Sequence, residues 1–391
     1  MQKITISGSA ELLAVLPFHL GFRPSRSAVL VCVHGRRLGL VARLDVCPFD
    51  EAVETAAQVL PALRAESPDH VILIGYEDVP GESAALCDAL VEALAGAVVE
   101  LRDRLVVRGD RWYAVGGAGH AGEGGRLLGD ADVPGVATYV ALGKAVLPDR
   151  DSLAALMDPC ADQPALSRAI YEFAGRLEWA REQVRPPAPG AELGTMDDSE
   201  LTRLVDEAAV AWVRLLRGAS EPEDPQADLP ALVGCLRDVA VRDSLIALLC
   251  PGTLHPDDLD PWVMTAFAAR LGPHEECLGP SQRSVTAPPI ASPIDSLVDW
   301  LDGPSAELLE RPALAERLEL QGALEALCRS VPGEHLTPLL SVVASYAWWC
   351  GDGARASVAL ERALELEPDH RLCGLLRRMV GLGIRPERAT A

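Results

Sequence analysis

Every strand-like segment of this 391-residue chain lies in its first 150 residues, and that confinement limits the available folds more than any other feature. AVLVCV (28–33) and VILIGY (71–76) are short, β-branched-rich apolar runs suited to buried central strands. LGLVARLDV (38–46) alternates apolar and polar residues, so a four-residue turn at 34–37 predicts an antiparallel hairpin with 28–33. VVELRDRLVVRGDRWYAV (98–115) carries an Arg-Gly-Asp turn and predicts a second hairpin. Helical segments at 50–66, with Asp50 as the expected N-cap, and at 82–95 interleave with these strands. That order predicts an α/β domain built on a mixed sheet.

Beyond residue 150 only helical periodicity remains. Helices are expected at 150–157, 162–183, 197–217, 228–250, 259–271, 294–302, 305–330, 336–350, 354–366 and 370–381. In 197–217, Asp197 and Glu200 suggest a capping box, and Leu201, Leu204, Val205, Ala208, Trp212 and Leu215 recur at helical spacing. Pro-rich stretches at 185–194 and 278–293 read as linkers, and the acidic 218–230 as an exposed loop. The expected organisation is an α/β domain over 1–150, a helical domain over 151–278 and a second helical domain over 294–391.

Composition narrows the function classes. With 57 acidic against 35 basic side chains the net charge is −22, so binding a nucleic-acid backbone or an anionic membrane would bring like charges together. Ten cysteines are scattered singly, with no C-x-x-C pair or zinc-finger spacing, which suits buried thiols in a reducing cytoplasm. Cys32 and His34 form a C-x-H on one strand face, but two ligands do not make a metal site. The longest nearly apolar run, 339–350, is 12 residues, short of the roughly 20 a membrane span needs. A cytoplasmic protein without a metal or cofactor is expected.

Two resemblances add to this. SAELLAVLPFHLGFRPSRSAVLVCV, then GRRLGLVARLDV, RWYAV, GKAVLPDRDSLAALMDP and DVAVRDSLIALL form an ordered set over about residues 6–250. This set resembles the actinobacterial family known as domain of unknown function 4192. The resemblance implies a family but no reaction. Where the family carries a turn with adjacent cysteines, this chain has GGAGHAGEGG (116–125), so any role of that turn does not carry over. SVVASYAWWCGDGARASVALERALELEPDH (341–370) resembles one tetratricopeptide repeat, with Gly351-Asp352 at the turn, Ala356 and Ala363 as the small residues and Pro368 at its end.

Few residues point to chemistry. Gly117, Gly119 and Gly122 match G-x-G-x-x-G, but no amphipathic helix follows, so a surface loop is expected instead of a dinucleotide site. If Val33 pairs with Leu38, Arg26 falls opposite Asp45 and Ala28 opposite Arg43, next to Arg23. Either an Arg26–Asp45 ion pair seals the sheet end, or Arg23, Arg26, Arg43 and Asp45 line a pocket for an anionic metabolite or nucleotide. No Ser/His/Asp or Cys/His set is visible, and no catalytic residue can be named. The leading expectation is a non-catalytic interaction or regulatory protein meeting a protein partner through its acidic helical half. The alternative is an enzyme or ligand sensor using the arginine pocket.

Overall fold

A computed structural model describes residues 8–35, 37–116, 125–129, 133–183, 200–216, 226–271 and 314–384. The chain divides into two compact units, residues 1–153 with 377–385, and residues 154–376. An N-terminal mixed sheet with helices is followed by a helical region, as the confinement of strand signals predicts.

The first unit runs α1 (Ser9–Leu20), β1 (Ser27–His34), β2 (Arg37–Asp45), α2 (Ala52–Glu66), β3 (His70–Glu77), α3 (Ala84–Gly96), β4 (Leu101–Arg108), β5 (Arg111–Ala114), β6 (Arg126–Leu127) and α4 (Pro134–Ala141). The sheet order is β2-β1-β3-β4-β5-β6. Among the described strands only β3 and β4 pair in parallel, because α3 carries the chain back across the sheet between them. On one face Ala28, Leu30, Cys32, Val71 and Leu73 pack against Ala56, Val59 and Leu63 of α2 and Leu86, Leu90 and Leu94 of α3. Each such leucine contributes about 1.5–3 kcal/mol on burial.

Gly75 sits in the middle of β3, and a Cβ there would overlap the Ser83 hydroxyl and meet Cys87 Sγ at 3.3 Å. Its missing side chain lets the first turn of α3 lie directly on the strand. At the other end of α3, Val98 takes a left-handed backbone (φ 58°) where glycine is the usual residue.

Several local expectations change. α1 was not anticipated: Leu12, Leu13, Ala14, Val15, Leu16 and Pro17 are all buried, so no polar face marks it as helical. α2 begins at Ala52 behind a 3-10 turn at Phe49–Glu51, and no side chain caps it, so Asp50 is not its N-cap. α5 (Arg150–Ala155) and α14 (Arg371–Gly381) run across the division between the units. At the start of α5, Asp149 accepts from Ser152 N–H at 2.7 Å, and Asp151 lies in the first turn.

The second unit holds α6 (Pro164–Gln183), α7 (Glu200–Leu216), α8 (Leu229–Gly234), α9 (Val239–Leu249), α10 (Pro261–Leu271), α11 (Leu314–Arg329), α12 (Leu336–Cys350) and α13 (Gly353–Leu366). The expected 228–250 helix is broken. Asp238 takes an extended backbone, accepts from Val241 N–H to start α9, and pairs with Arg181. Trp212 is fully buried and donates its indole N–H to Leu232 O at 3.2 Å. α12 and α13 form a tight helical hairpin around Gly351 (φ 81°), with Ala356 and Ala363 fully buried between the helices. Trp349 is buried and donates to Pro251 O at 3.1 Å. The expected linkers at 185–194 and 278–293, the 294–302 helix and most of the 116–125 loop lie outside the described residues.

Candidate functional site

The expected pairing of Arg26 with Asp45 does not form. Val33 pairs with Leu38 as predicted, but a bulge follows, so that Val31 pairs with Val41, Val29 with Arg43 and Ser27 with Asp45. The extra residue belongs to β2. Leu40 N–H donates to Glu66 Oε1 at 2.8 Å, and Gly39 has no Cβ to strike that carboxylate. The one-residue shift takes Arg26 out of register with Asp45. Arg26 precedes β1 in a left-handed conformation (φ 40°) and pairs with Glu82 at 2.6 Å. Arg43 pairs with Asp45 at 2.7 Å, and its guanidinium lies 5.6 Å from the Phe22 ring centre. Arg23 is exposed, and its N–H donates to Leu147 O.

A better-formed site lies two strands away, at the carboxyl end of the parallel pair, where ligands commonly bind in α/β sheets. Alternation places Gly75 and Glu77 of β3 on the same face as Arg104, Val106 and Arg108 of β4, and register places Tyr113 of β5 beside Val106. α3 covers β3 but leaves this part of β4 and β5 open. The result is a cleft of about 470 Å³ lined by Glu77, Ser83, Arg104, Val106, Arg108 and Tyr113, among others.

Glu77 organises one wall. Its carboxylate, 3% exposed, pairs with Arg108 Nη2 at 2.7 Å. It also accepts from Ser83 Oγ at 2.8 Å, Gly81 N–H at 3.0 Å and Ser83 N–H at 3.3 Å. Burial alone would push this carboxyl up. The bonds from Arg108, Ser83 and Gly81 outweigh it and hold the group below the ordinary carboxylate range. Glu77 thus serves as the resident anion at the amino end of α3. Ser83, the N-cap residue, makes no side-chain cap bond, and its hydroxyl is spent on Glu77.

The two arginines differ. Arg108 is fixed by Glu77 and stacks over Tyr113, 5.4 Å from the ring centre. Arg104 pairs with Asp88 at 2.7 Å, but Asp88 is 65% exposed, so this is a weak, solvent-screened bond. The Nε–H groups of both arginines are buried without an acceptor. Gly125, whose Cβ would strike Tyr113, closes against that ring and accepts from Arg111 at 2.7 Å.

The sequence held signals for this cleft that the hairpin argument overlooked. A glycine inside a buried strand signals close approach, VILIGYE ends an apolar run on an acid, and Arg104 and Arg108 alternate onto one face with Val106.

The helical unit has its own cavity, about 580 Å³, lined by Ser167, Arg168, Tyr171 and Glu334 among others. Ser167 Oγ lies 2.8 Å from Nε2 of His335, a buried histidine 168 positions away, which no sequence spacing could pair with it. The Ser167 hydroxyl donates to the Glu334 carboxylate. The other ring nitrogen, Nδ1, is buried without a partner, so no third group orients the histidine as in a catalytic triad. Burial, then the nearby Arg237, lowers the His335 pKa and keeps the ring neutral.

Comparison with curated proteins gives no significant match. Comparison with solved structures gives none either. The family model described as Domain of unknown function (DUF4192) matches residues 10–267 and 307–387, covering both the sheet that forms the cleft and the helical unit, and the chain belongs to that family.

Proposed function

We propose that this protein is a non-catalytic, ligand-responsive regulatory protein that binds a small organic anion in the cleft between α3 and β4–β5. One observation carries the reading. Arg104 lines the cleft with its guanidinium paired only to the solvent-exposed Asp88, in a chain whose overall charge is −22. A carboxylate in the cleft can take that guanidinium in place of a screened surface partner. The anion pocket inferred from Arg23, Arg26, Arg43 and Asp45 is thereby relocated. Arg26 keeps an indirect part, since its partner Glu82 belongs to the turn that carries Gly81 and Ser83.

The partner role of the helical unit rests on its acidity and on exposed aromatic surface such as Trp179 of α6, 57% exposed. The hairpin of α12 and α13 would act there as a repeat-like packing element. A reducing, cytoplasmic setting is supported by the free cysteines, most of them buried. No helix among the described residues is long and apolar enough to cross a membrane.

Native mass spectrometry of the protein purified gently from its own host tests the ligand reading. A small added mass in the wild type that disappears in Arg104→Ala is the expected result. Identical bare masses for both proteins would overturn it.

A further inference from the structure

We infer that the cleft takes a singly charged organic carboxylate with an apolar or aryl body, and not a nucleotide or other polyphosphate. This rests on the proposed anion site and narrows its ligand.

Charge sets the first limit. Of the three charged side chains among the described residues lining the cleft, Glu77 and Arg108 neutralise each other at 2.7 Å. Only Arg104 retains a charge that can be redirected, because its partner Asp88 is solvent-exposed. One guanidinium matches one carboxylate in charge and in fork geometry. A polyphosphate brings several negative charges, and no other described residue lining the cleft offsets them.

Backbone donors set the second limit. Phosphate sites commonly use the free N–H groups of a loop leading into a helix. Here the turn into α3 has that form, but Gly81 N–H and Ser83 N–H both donate to Glu77. The protein's own carboxylate occupies the place a phosphate would take. Displacing it would strand Glu77, buried and charged, away from its donors.

The remaining lining defines the body of the ligand. Ala84, Val106, Tyr113, Ala114 and Val115 supply an apolar wall, with Tyr113 fixed between Arg108 and Gly125. The open cleft of about 470 Å³ has room for the body of a small organic molecule.

Isothermal titration of the full chain with four probes tests this: 3-phenylpropanoate, octanoate, pyrophosphate and ATP. The neutral 3-phenylpropan-1-ol serves as the charge control. The expected result is saturable binding of at least one carboxylate, none of pyrophosphate or ATP, and at least about tenfold weaker carboxylate binding in Arg104→Ala. The alcohol should bind the wild type no better than the carboxylate binds that variant. Arg104→Lys, which keeps the charge and loses the fork, guards against misfolding and should fall between the two. Tight binding of pyrophosphate or ATP that is lost in Arg104→Ala would overturn the ligand class while leaving the anion site standing. No binding of any probe, or carboxylate binding indifferent to Arg104, would overturn both.

Discussion

Glu77 and Arg108 face each other across the parallel pair β3–β4 at 2.7 Å, and the carboxylate of the pair is almost wholly buried. Removing the arginine leaves that charge held only by Ser83 and Gly81. Arg108→Ala should therefore destabilise the N-terminal unit by about 2–4 kcal/mol. Glu77→Gln should also destabilise it and change its acid response. Because the Glu77 pKa is lowered in the folded state, its contribution is present above the unfolded carboxyl value and is lost as pH falls through the folded one. Urea unfolding of the wild type from pH 7 to 3 should show that loss, and Glu77→Gln should flatten it. Parallel pH profiles for the two proteins would contradict the assignment.

The approach of α3 to β3 at Gly75 makes a contrasting pair of glycine substitutions. Gly75→Ala places a methyl group onto the Ser83 hydroxyl and should cost about 1–3 kcal/mol. Gly96→Ala, in the last turn of the same helix, meets nothing within 4 Å and should be neutral or stabilising by up to about 1 kcal/mol. Equal urea midpoints for the two variants would show that the close approach does not constrain the fold.

Val98 is 94% exposed and holds a left-handed backbone that costs a β-branched residue about 1–2 kcal/mol. The strain is imposed by the end of α3, where Val98 N–H and Val99 N–H return to Ala95 O and Leu94 O at 3.1 and 3.0 Å. Val98→Gly should stabilise the unit by about 1 kcal/mol, after allowance for the greater unfolded freedom of glycine. A lowered urea midpoint would refute that account of the turn.

In the helical unit His335 is held neutral by burial and by Arg237, so its folded pKa lies below the unfolded value of about 6.5. Between those two values the unfolded chain binds more protons, and stability must fall as pH drops through that window. His370, lowered by burial and by Arg242, acts in the same direction. His335→Gln should reduce the slope of stability against pH between 7 and 5.5 without abolishing it. An unchanged slope would mean that His335 protonates as easily in the folded chain.

Much of the architecture was legible because periodicity is local. The buried strands at 28–33 and 71–76, the Arg-Gly-Asp hairpin and most of the described helices of the second half follow from spacing alone. What failed depended on distant groups. The register of β1 and β2 shifts because Glu66, 26 positions from Leu40, takes an N–H near the bulge. The 228–250 helix breaks at Asp238, which Arg181 holds from 57 positions away. α1 was hidden by its own burial, since a helix covered on nearly every side shows no polar stripe. The cleft was missed because Arg108 was read only as part of the Arg-Gly-Asp turn and Arg104 was not singled out, while their meaning depends on which side of the sheet α3 leaves open.

The most direct test of the central claim observes the arginine Nε–H groups themselves. Proton–nitrogen correlation spectra of the ¹⁵N-labelled protein can follow these signals during titration with 3-phenylpropanoate, with Arg104 assigned by its loss in Arg104→Lys. The account predicts a saturable shift of the Arg104 signal, while the Arg23 and Arg43 signals stay in place. An unmoved Arg104 signal at saturating carboxylate, or shifts confined to Arg23 and Arg43, would contradict it.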